Sequence, residues 1–197
     1  MAATSTRSEP RGDSELPDLA LRFARRAHLG QYRKQDHEQF VEHPIAVAEL
    51  LSQRGFEEPV LAAAYLHDVA EKTEIGLDEI RERFGPEVAG LIDRLSEDPE
   101  IAPYGERKRA LRRRVLEAGP DPVAIYAADR VANMRDWRRV APERRERIAR
   151  RLGTSVEERL ELWGEDLEEL SGLEPEPPFL AEIEAELRTL RDEVRPA

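Results

Sequence analysis

The chain contains no cysteine, which excludes disulfides and thiolate metal sites and leaves nitrogen and oxygen as the donors for any bound ion. Harder divalent metals suit such donors. The chain also lacks an apolar run of membrane-spanning length, and Met1 to Arg7 has no apolar core of the kind a signal peptide needs. A cytoplasmic location without a membrane partner is therefore expected. No segment alternates apolar and polar residues with period two, which leaves an all-α reading, and no internal repeat recurs at a fixed period. Positive charge is in deficit: a formal net charge of −11 argues against stable nucleic-acid binding, because a duplex would repel the surface as a whole. The deficit is uneven, however. Between Arg107 and Arg151 there are 15 Arg and Lys against 6 Asp and Glu, including Arg107-Lys108-Arg109 and Arg112-Arg113-Arg114. A local basic band suits a small polyanion, although most of these arginines read as solvated helix faces.

At 197 residues the chain fits one medium domain with appendages, long enough to enclose a pocket. Residues 1–15 are polar, carry Pro10 and Gly12, and are expected to form a disordered tail. Residues 16–172 read as the main domain. Leu19, Phe23 and Ala27 form a stripe ending near Gly30, and a polar loop follows to Glu42. Pro44 opens a helix that stops at Gly55, and the next helix runs from about Pro59 to Glu71. Asp78 to Phe84 is a short helix closed by Gly85, with Pro86 opening another. After a loop from Glu97 to Gly105, helices are expected from Arg107 to Ala118, from Val123 to about Trp137, and on either side of Gly153. Residues 173–197 comprise a proline-rich joint, Glu174 to Pro178, and a final amphipathic helix. Its seam of Leu180, Ile183, Leu187, Leu190 and Val194 either docks on its own domain or forms a homodimer contact.

Charge enters apolar helices at two places. Leu61 to Leu66 runs directly into His67-Asp68, and Glu71 lies four residues after His67 on the same face. An adjacent His-Asp pair offers one imidazole nitrogen and one carboxylate to a single cation, and Glu71 is a water-handling group beside it. Asp129 enters a second apolar helix, with Asn133 one turn later. His43, just before Pro44, is held at a helix mouth. Two imidazoles and two carboxylates leave coordination positions open, which suits manganese, iron or zinc better than calcium. His28 reads as a buried, hydrogen-bonded structural histidine, and His37 as an exposed loop residue. Trp137 and Trp163 are expected to pack in the helical layer.

The series His43-Pro44, His67-Asp68 and Asp129 resembles the HD-domain metal phosphohydrolases. Within them it is most similar to the alarmone hydrolases: the hydrolase domain of Rel/SpoT enzymes and their stand-alone mesh-type relatives. The resemblance covers about Ala24 to Trp137, and more loosely extends to Leu170. It is carried by Ala27 to Lys34, by Ala63 to Thr73, by Phe84-Gly85 and by Ala128 to Arg135. It implies an HD-type helical fold in which His43, His67, Asp68 and Asp129 ligate one divalent ion, usually manganese. It also implies that Glu71 orients or deprotonates the attacking water, that Asn133 contacts the nucleotide, and that Arg33 contacts the base or phosphates, with Lys34 beside it. The implied reaction removes the 3′-pyrophosphate of guanosine tetra- or pentaphosphate. Lys108 and Arg109 stand where they either close over phosphate or lie at the surface.

Lys72 departs from the family, which has an acidic residue there and so a Glu-Asp dyad. Lys72 is expected either to pair with Asp68, four residues back, or to point at substrate phosphate. The Gln35 to Phe40 segment departs too, since a glycine commonly follows the basic pair. Two rival readings follow. One is an HD phosphatase for another nucleotide or phosphorylated cofactor; the other is a degenerate module that binds a nucleotide or neutralises a partner.

Overall fold

The computed structural model describes residues 15–33 and 38–194. Lys34, His37 and all of the expected tail except Glu15 lie outside the described residues. Within them the chain forms ten helices: α1 (Glu15–Ala27), α2 (Glu42–Ser52), α3 (Glu58–Leu66), α4 (Val69–Lys72), α5 (Leu77–Leu95), α6 (Tyr104–Leu116), α7 (Pro120–Arg139), α8 (Pro142–Arg151), α9 (Val156–Ser171) and α10 (Leu180–Val194). Apart from one antiparallel bridge between Tyr32 and Gln39, no extended pairing occurs among the described residues. The all-α expectation holds.

Helix α7 is buried on nearly every side: every residue from Pro122 to Ala128 is buried, as are Val131, Met134 and Trp137 further on. Such a helix gains its stability from packing rather than from an amphipathic face. It packs against α2, α3, α5, α6 and α10. Helix α3 plays the same part for the N-terminal half. Its Ala62, Ala63 and Ala64 are fully buried, and these small side chains allow α1, α2 and α5 to close around it. Asp129 and Asn133 sit on α7, His43 on α2, and His67 and Asp68 in the turn directly after α3, so packing on several sides holds them.

One buried face and several helix boundaries differ from the sequence reading, including the start of α2 at Glu42 rather than Pro44. In α1 the buried positions are Ala20 and Ala24, whereas Leu19 is 46% exposed; the stripe is rotated because the small residues meet the neighbouring helices. The helix expected from Pro59 to Glu71 ends at Leu66, and a turn through His67 and Asp68 leads into α4. The imidazole is the cause: His67 Nδ1 lies 2.8 Å from the Ala64 carbonyl oxygen, an acceptor that a regular helix would give to the Asp68 amide. Helices α6 and α7 start three residues earlier than expected, at Tyr104 and Pro120. Proline in a first turn forfeits no helical hydrogen bond. The break within α5 falls where it was read, at Gly85, whose φ of 88° favours glycine.

At the start of α9 the Ser155 hydroxyl accepts a hydrogen bond from the Glu158 amide at 3.0 Å. Ser155→Ala is expected to cost about 1 kcal/mol, read as a lowered midpoint in thermal unfolding. The proline-rich joint is anchored by Phe179, only 3% exposed, with the Arg54 guanidinium 3.8 Å from its ring centroid. Beyond it α10 lies on α7 and α9 and buries Ile183, Leu187 and Leu190 of the seam, while Val194 is exposed. Glu186 on α10 receives Arg135 at 3.1 Å and Arg138 at 2.7 Å from α7.

Candidate metal centre and active-site cleft

His43 from α2, His67 from the turn after α3, and Asp129 from α7 converge until their donor atoms lie within 4.8 Å of one another. Asp129 Oδ1 is 2.8 Å from His43 Nε2 and 3.8 Å from His67 Nε2. Asp68 stands beside the trio, its Oδ2 3.7 Å from His67 Nε2. Each imidazole is oriented through its other nitrogen. Nδ1 of His67 faces Ala64 O, and Nδ1 of His43 lies 3.2 Å from Asp136 Oδ2. With each Nδ1 engaged outside the trio, both Nε2 atoms face its interior, the orientation expected of histidines that give up the Nε2 proton when they ligate an ion.

The electrostatics favour the deprotonated form of three of the four donors and, before an ion binds, the protonated form of His67. Burial pulls the His43 pKa down, keeping its imidazole neutral as a ligand requires. Burial alone would raise Asp129, but Arg130 and the His43 hydrogen bond outweigh it and hold the carboxyl well below the usual range. Burial opposes charge at Asp68 as well, and the two histidines and Lys72 still keep it low. For His67 burial is outweighed in the other direction, since Asp68 and Asp129 raise it. Convergent imidazoles and carboxylates with these second contacts fit a divalent ion.

Glu71 and Asn133 flank this centre. Asn133 Nδ2 donates to Asp129 Oδ1 at 2.8 Å. Glu71 Oε1 accepts from the Glu97 amide at 2.7 Å, and its Oε2 receives Lys72 Nζ at 2.8 Å. Lys72 thus bonds Glu71 rather than Asp68, and it lines the cleft. Burial works against its charge, but Glu71 and Asp68 raise its pKa, so it stays an ammonium. All these groups line one cleft of about 430 Å³ together with Tyr32, Arg33, Tyr104, Arg107 and Lys108.

The basic band is largely occupied within the fold. Arg107 Nε donates to Glu97 at 2.6 Å, and Lys108 bonds the same carboxylate. Arg109 reaches Glu165 at 2.7 Å, and Arg112, only 3% exposed, reaches Asp166 at 2.9 Å. Arg112 was read among the solvated arginines; the structure buries it because α9 supplies its counterions. Burial would raise the Glu97 pKa, but Lys108 and Arg107 bring it down to about 2. A depressed carboxylate stabilises the fold above its unfolded pKa and loses that contribution as pH falls through the folded value. Glu97→Gln is therefore expected to cost a few kcal/mol at pH 7. Its unfolding free energy should converge on that of wild type as pH approaches about 2, checked by denaturant titrations across the acid range.

Sequence reading missed Asp136. It is seven residues after Asp129, two turns along the same face of α7, and that spacing was the available signal. It accepts from the buried Arg33 guanidinium as well as facing His43, so Arg33 is engaged behind the site while still lining the cleft. Asp136→Asn is expected to lower divalent-metal affinity about tenfold to a hundredfold, measured by calorimetric metal titration. Also missed were Arg130, 3.0 Å from Asp129 Oδ2, and Asp166, which accepts from the Tyr126 hydroxyl at 2.7 Å and lies 3.8 Å from Arg130. The partners of Asp166 come from distant segments and leave no local pattern, whereas Arg130 directly follows the carboxylate it braces. His28 is buried, 2.9 Å from Gln31 Oε1 and stacked on Phe40, as read.

The fold and the donor set together define a helical protein with a histidine–carboxylate cluster able to hold a divalent ion, lining a cleft shared with basic side chains. The chain belongs to the HD-domain family, whose model matches residues 20–154. It is 36% identical over 127 residues to the Homo sapiens guanosine-3′,5′-bis(diphosphate) 3′-pyrophosphohydrolase MESH1, an alignment covering 63% of this chain and 70% of that protein. It is 37% identical over 137 residues to a GTP pyrophosphokinase of Streptomyces antibioticus, covering 68% of this chain but 16% of that protein. The chain spans about a quarter or less of the length of the first long relatives it matches. A solved structure of a metazoan SpoT ortholog, a protein that hydrolyses ppGpp, superposes with a TM-score of 0.73 at 26% identity, covering 93% of this chain and 98% of the other. The resemblance read from the sequence is borne out. Among the described residues no helix is long and apolar enough to cross a membrane.

Proposed function

We propose that the protein is a cytoplasmic, metal-dependent nucleotide pyrophosphohydrolase that converts guanosine 3′,5′-bis(diphosphate) and water into GDP and pyrophosphate. The observation that carries this reading is the convergence of His43, His67 and Asp129 at the foot of a cleft lined by basic side chains, in a chain similar to enzymes that bear this name. His43, His67, Asp68 and Asp129 would hold one divalent ion, manganese in the first instance and zinc or iron otherwise. When bound, such an ion supplies Lewis acidity toward water and phosphate oxygens.

The chain's own residues do the rest. Glu71, fixed by the Glu97 amide, accepts a proton from the attacking water. Asn133 holds Asp129 in place through its 2.8 Å hydrogen bond and presents the rest of its amide to the nucleotide. Lys108 supplies positive charge to the phosphates, and Arg33 and Lys34 mark the side on which the base or phosphates lie. The seam of α10 is used within the chain against α7 and α9, which favours docking over a homodimer at that helix; sedimentation at several concentrations tests it.

One observation favours a second reading. The Lys72–Glu71 pair at 2.8 Å engages the proton acceptor itself, which suits hydrolysis of another phosphorylated nucleotide, or binding without turnover. A nucleotide panel with added Mn2+, run on wild type and Lys72→Asp side by side, separates these. Pyrophosphate release from guanosine tetraphosphate by wild type supports the proposal. Turnover of other nucleotides alone replaces it with the phosphatase reading. Activity confined to Lys72→Asp identifies a degenerate module.

A further inference from the structure

The counterions of the cleft's basic side chains can be traced one by one. Arg107 and Lys108 share Glu97, Lys72 is paired with Glu71, Arg33 with Asp136, and Arg130 with Asp129 and Asp166. Arg159 lines the same cleft and differs from all of them. No salt bridge to it occurs among the described residues.

Arg159 is held without a counterion. Its guanidinium lies between two indoles, 4.4 Å from the Trp137 ring centroid and 4.8 Å from that of Trp163. Its Nη1 donates to the Tyr104 hydroxyl at 2.8 Å, and its Nε is buried without a hydrogen-bond partner. Cation–π contact with both rings restricts the fork and offsets part of the desolvation. It does not neutralise the charge, and burial accordingly pulls Arg159 downward from its ordinary value. Because the Tyr104 oxygen accepts from Arg159, its own proton is left to donate elsewhere. The pair forms a pre-oriented donor set that lacks an anion.

Its place relative to the metal centre follows from the helices. Arg159 is on α9, which packs on α6, α8 and α10, whereas His43 and His67 belong to α2 and the end of α3. Arg130 stands between them: it pairs with Asp129 on one side and lies 3.8 Å from Asp166 of α9 on the other. A ligand spanning the cleft from the metal trio to α9 therefore meets Arg159 and Tyr104 at its far end.

We infer that Arg159 and Tyr104 receive a phosphoryl group of the substrate remote from the one that is cleaved, and so select nucleotides phosphorylated at both ends. This rests on the hydrolase reading above for the orientation of the nucleotide, with its 3′ end at the metal trio. Binding of two single-ended probes, GDP and guanosine 3′-monophosphate, to the full chain tests it without requiring turnover. Calorimetry gives the affinities, and intrinsic fluorescence serves as a second readout, since the only two tryptophans in the chain are the ones that sandwich Arg159.

Arg159→Gln is expected to weaken GDP about tenfold or more while leaving guanosine 3′-monophosphate within about twofold. Arg159→Lys, which keeps the charge but loses the planar stack, recovers part of the loss. Tyr104→Phe shows the same selectivity with a smaller effect. Equal weakening of both probes, which a purely structural arginine would give, overturns the inference. So does undiminished GDP binding in Arg159→Gln, or no GDP binding to wild type. Selective loss of GDP affinity in a protein that releases no pyrophosphate upholds the subsite and refutes the hydrolase instead.

Discussion

Asp129→Ala is expected to abolish divalent-metal binding and to lower the unfolding free energy of the metal-free protein by about 3 kcal/mol or more. Both effects have one origin. The Asp129 carboxylate is shared among His43 Nε2, Asn133 Nδ2 and Arg130, at 2.8, 2.8 and 3.0 Å, so truncation removes a donor from the metal centre and leaves Arg130, 7% exposed, without its nearest counterion. For a chain of this length the loss corresponds to a fall in melting temperature on the order of 10 °C. The carboxyl is held far below its ordinary value of 3.8. The carboxylate's own contribution is present above that pH and is lost only as the pH falls through the depressed folded value, while the part it exerts by raising His67 grows as that imidazole protonates, so the gap between wild type and variant should widen from pH 8 down to about 5. Differential scanning calorimetry in chelator, together with metal titration, checks both halves. A variant that still bound Mn2+ with wild-type affinity would remove Asp129 from the proposed ligand set.

Glu71→Gln is expected to slow pyrophosphate release about a hundredfold to ten-thousandfold while leaving metal affinity essentially unaltered. The amide keeps the shape of the side chain and can still accept from the Glu97 backbone at the position now 2.7 Å away. What it cannot do is take a proton. Lys72 loses its carboxylate partner in this variant, and its ammonium is then set by burial and by Asp68. Steady-state rates across pH, compared with wild type, carry the test. A rate loss below about tenfold would mean that the proton leaves by another route.

How much of this was legible depends on where the partners lie along the chain. His67, Asp68 and Asp129 stood out because charge interrupts alanine-rich helices, a contrast within a few residues. His43 was legible through Pro44, which fixes a helix start. The break at Gly85 was legible because glycine and proline are adjacent there. By contrast, the turn at His67 depends on a ring nitrogen capturing the Ala64 carbonyl, and nothing in residue type announces which way an imidazole rotates. Arg112 read as a solvated arginine because its counterions, Glu165 and Asp166, lie more than fifty positions further on. The orientation of Lys72 toward Glu71 rather than Asp68 was equally out of reach, since both carboxylates are within a turn of it. Helical spacing alone does not choose between them.

Asp166 gives the site a reach that its ligands alone do not suggest. It lies on α9, past residue 154 where the family match ends, yet it accepts from Arg112 and Tyr126 and stands 3.8 Å from the same Arg130 that braces Asp129. A fragment cut at the family boundary would keep all four proposed ligands and lose the acid that balances two buried guanidinium groups behind them. The smallest portable piece of this protein, for transplantation or for fusion to another chain, must therefore run through α9, because the charge balance of the metal centre is completed there.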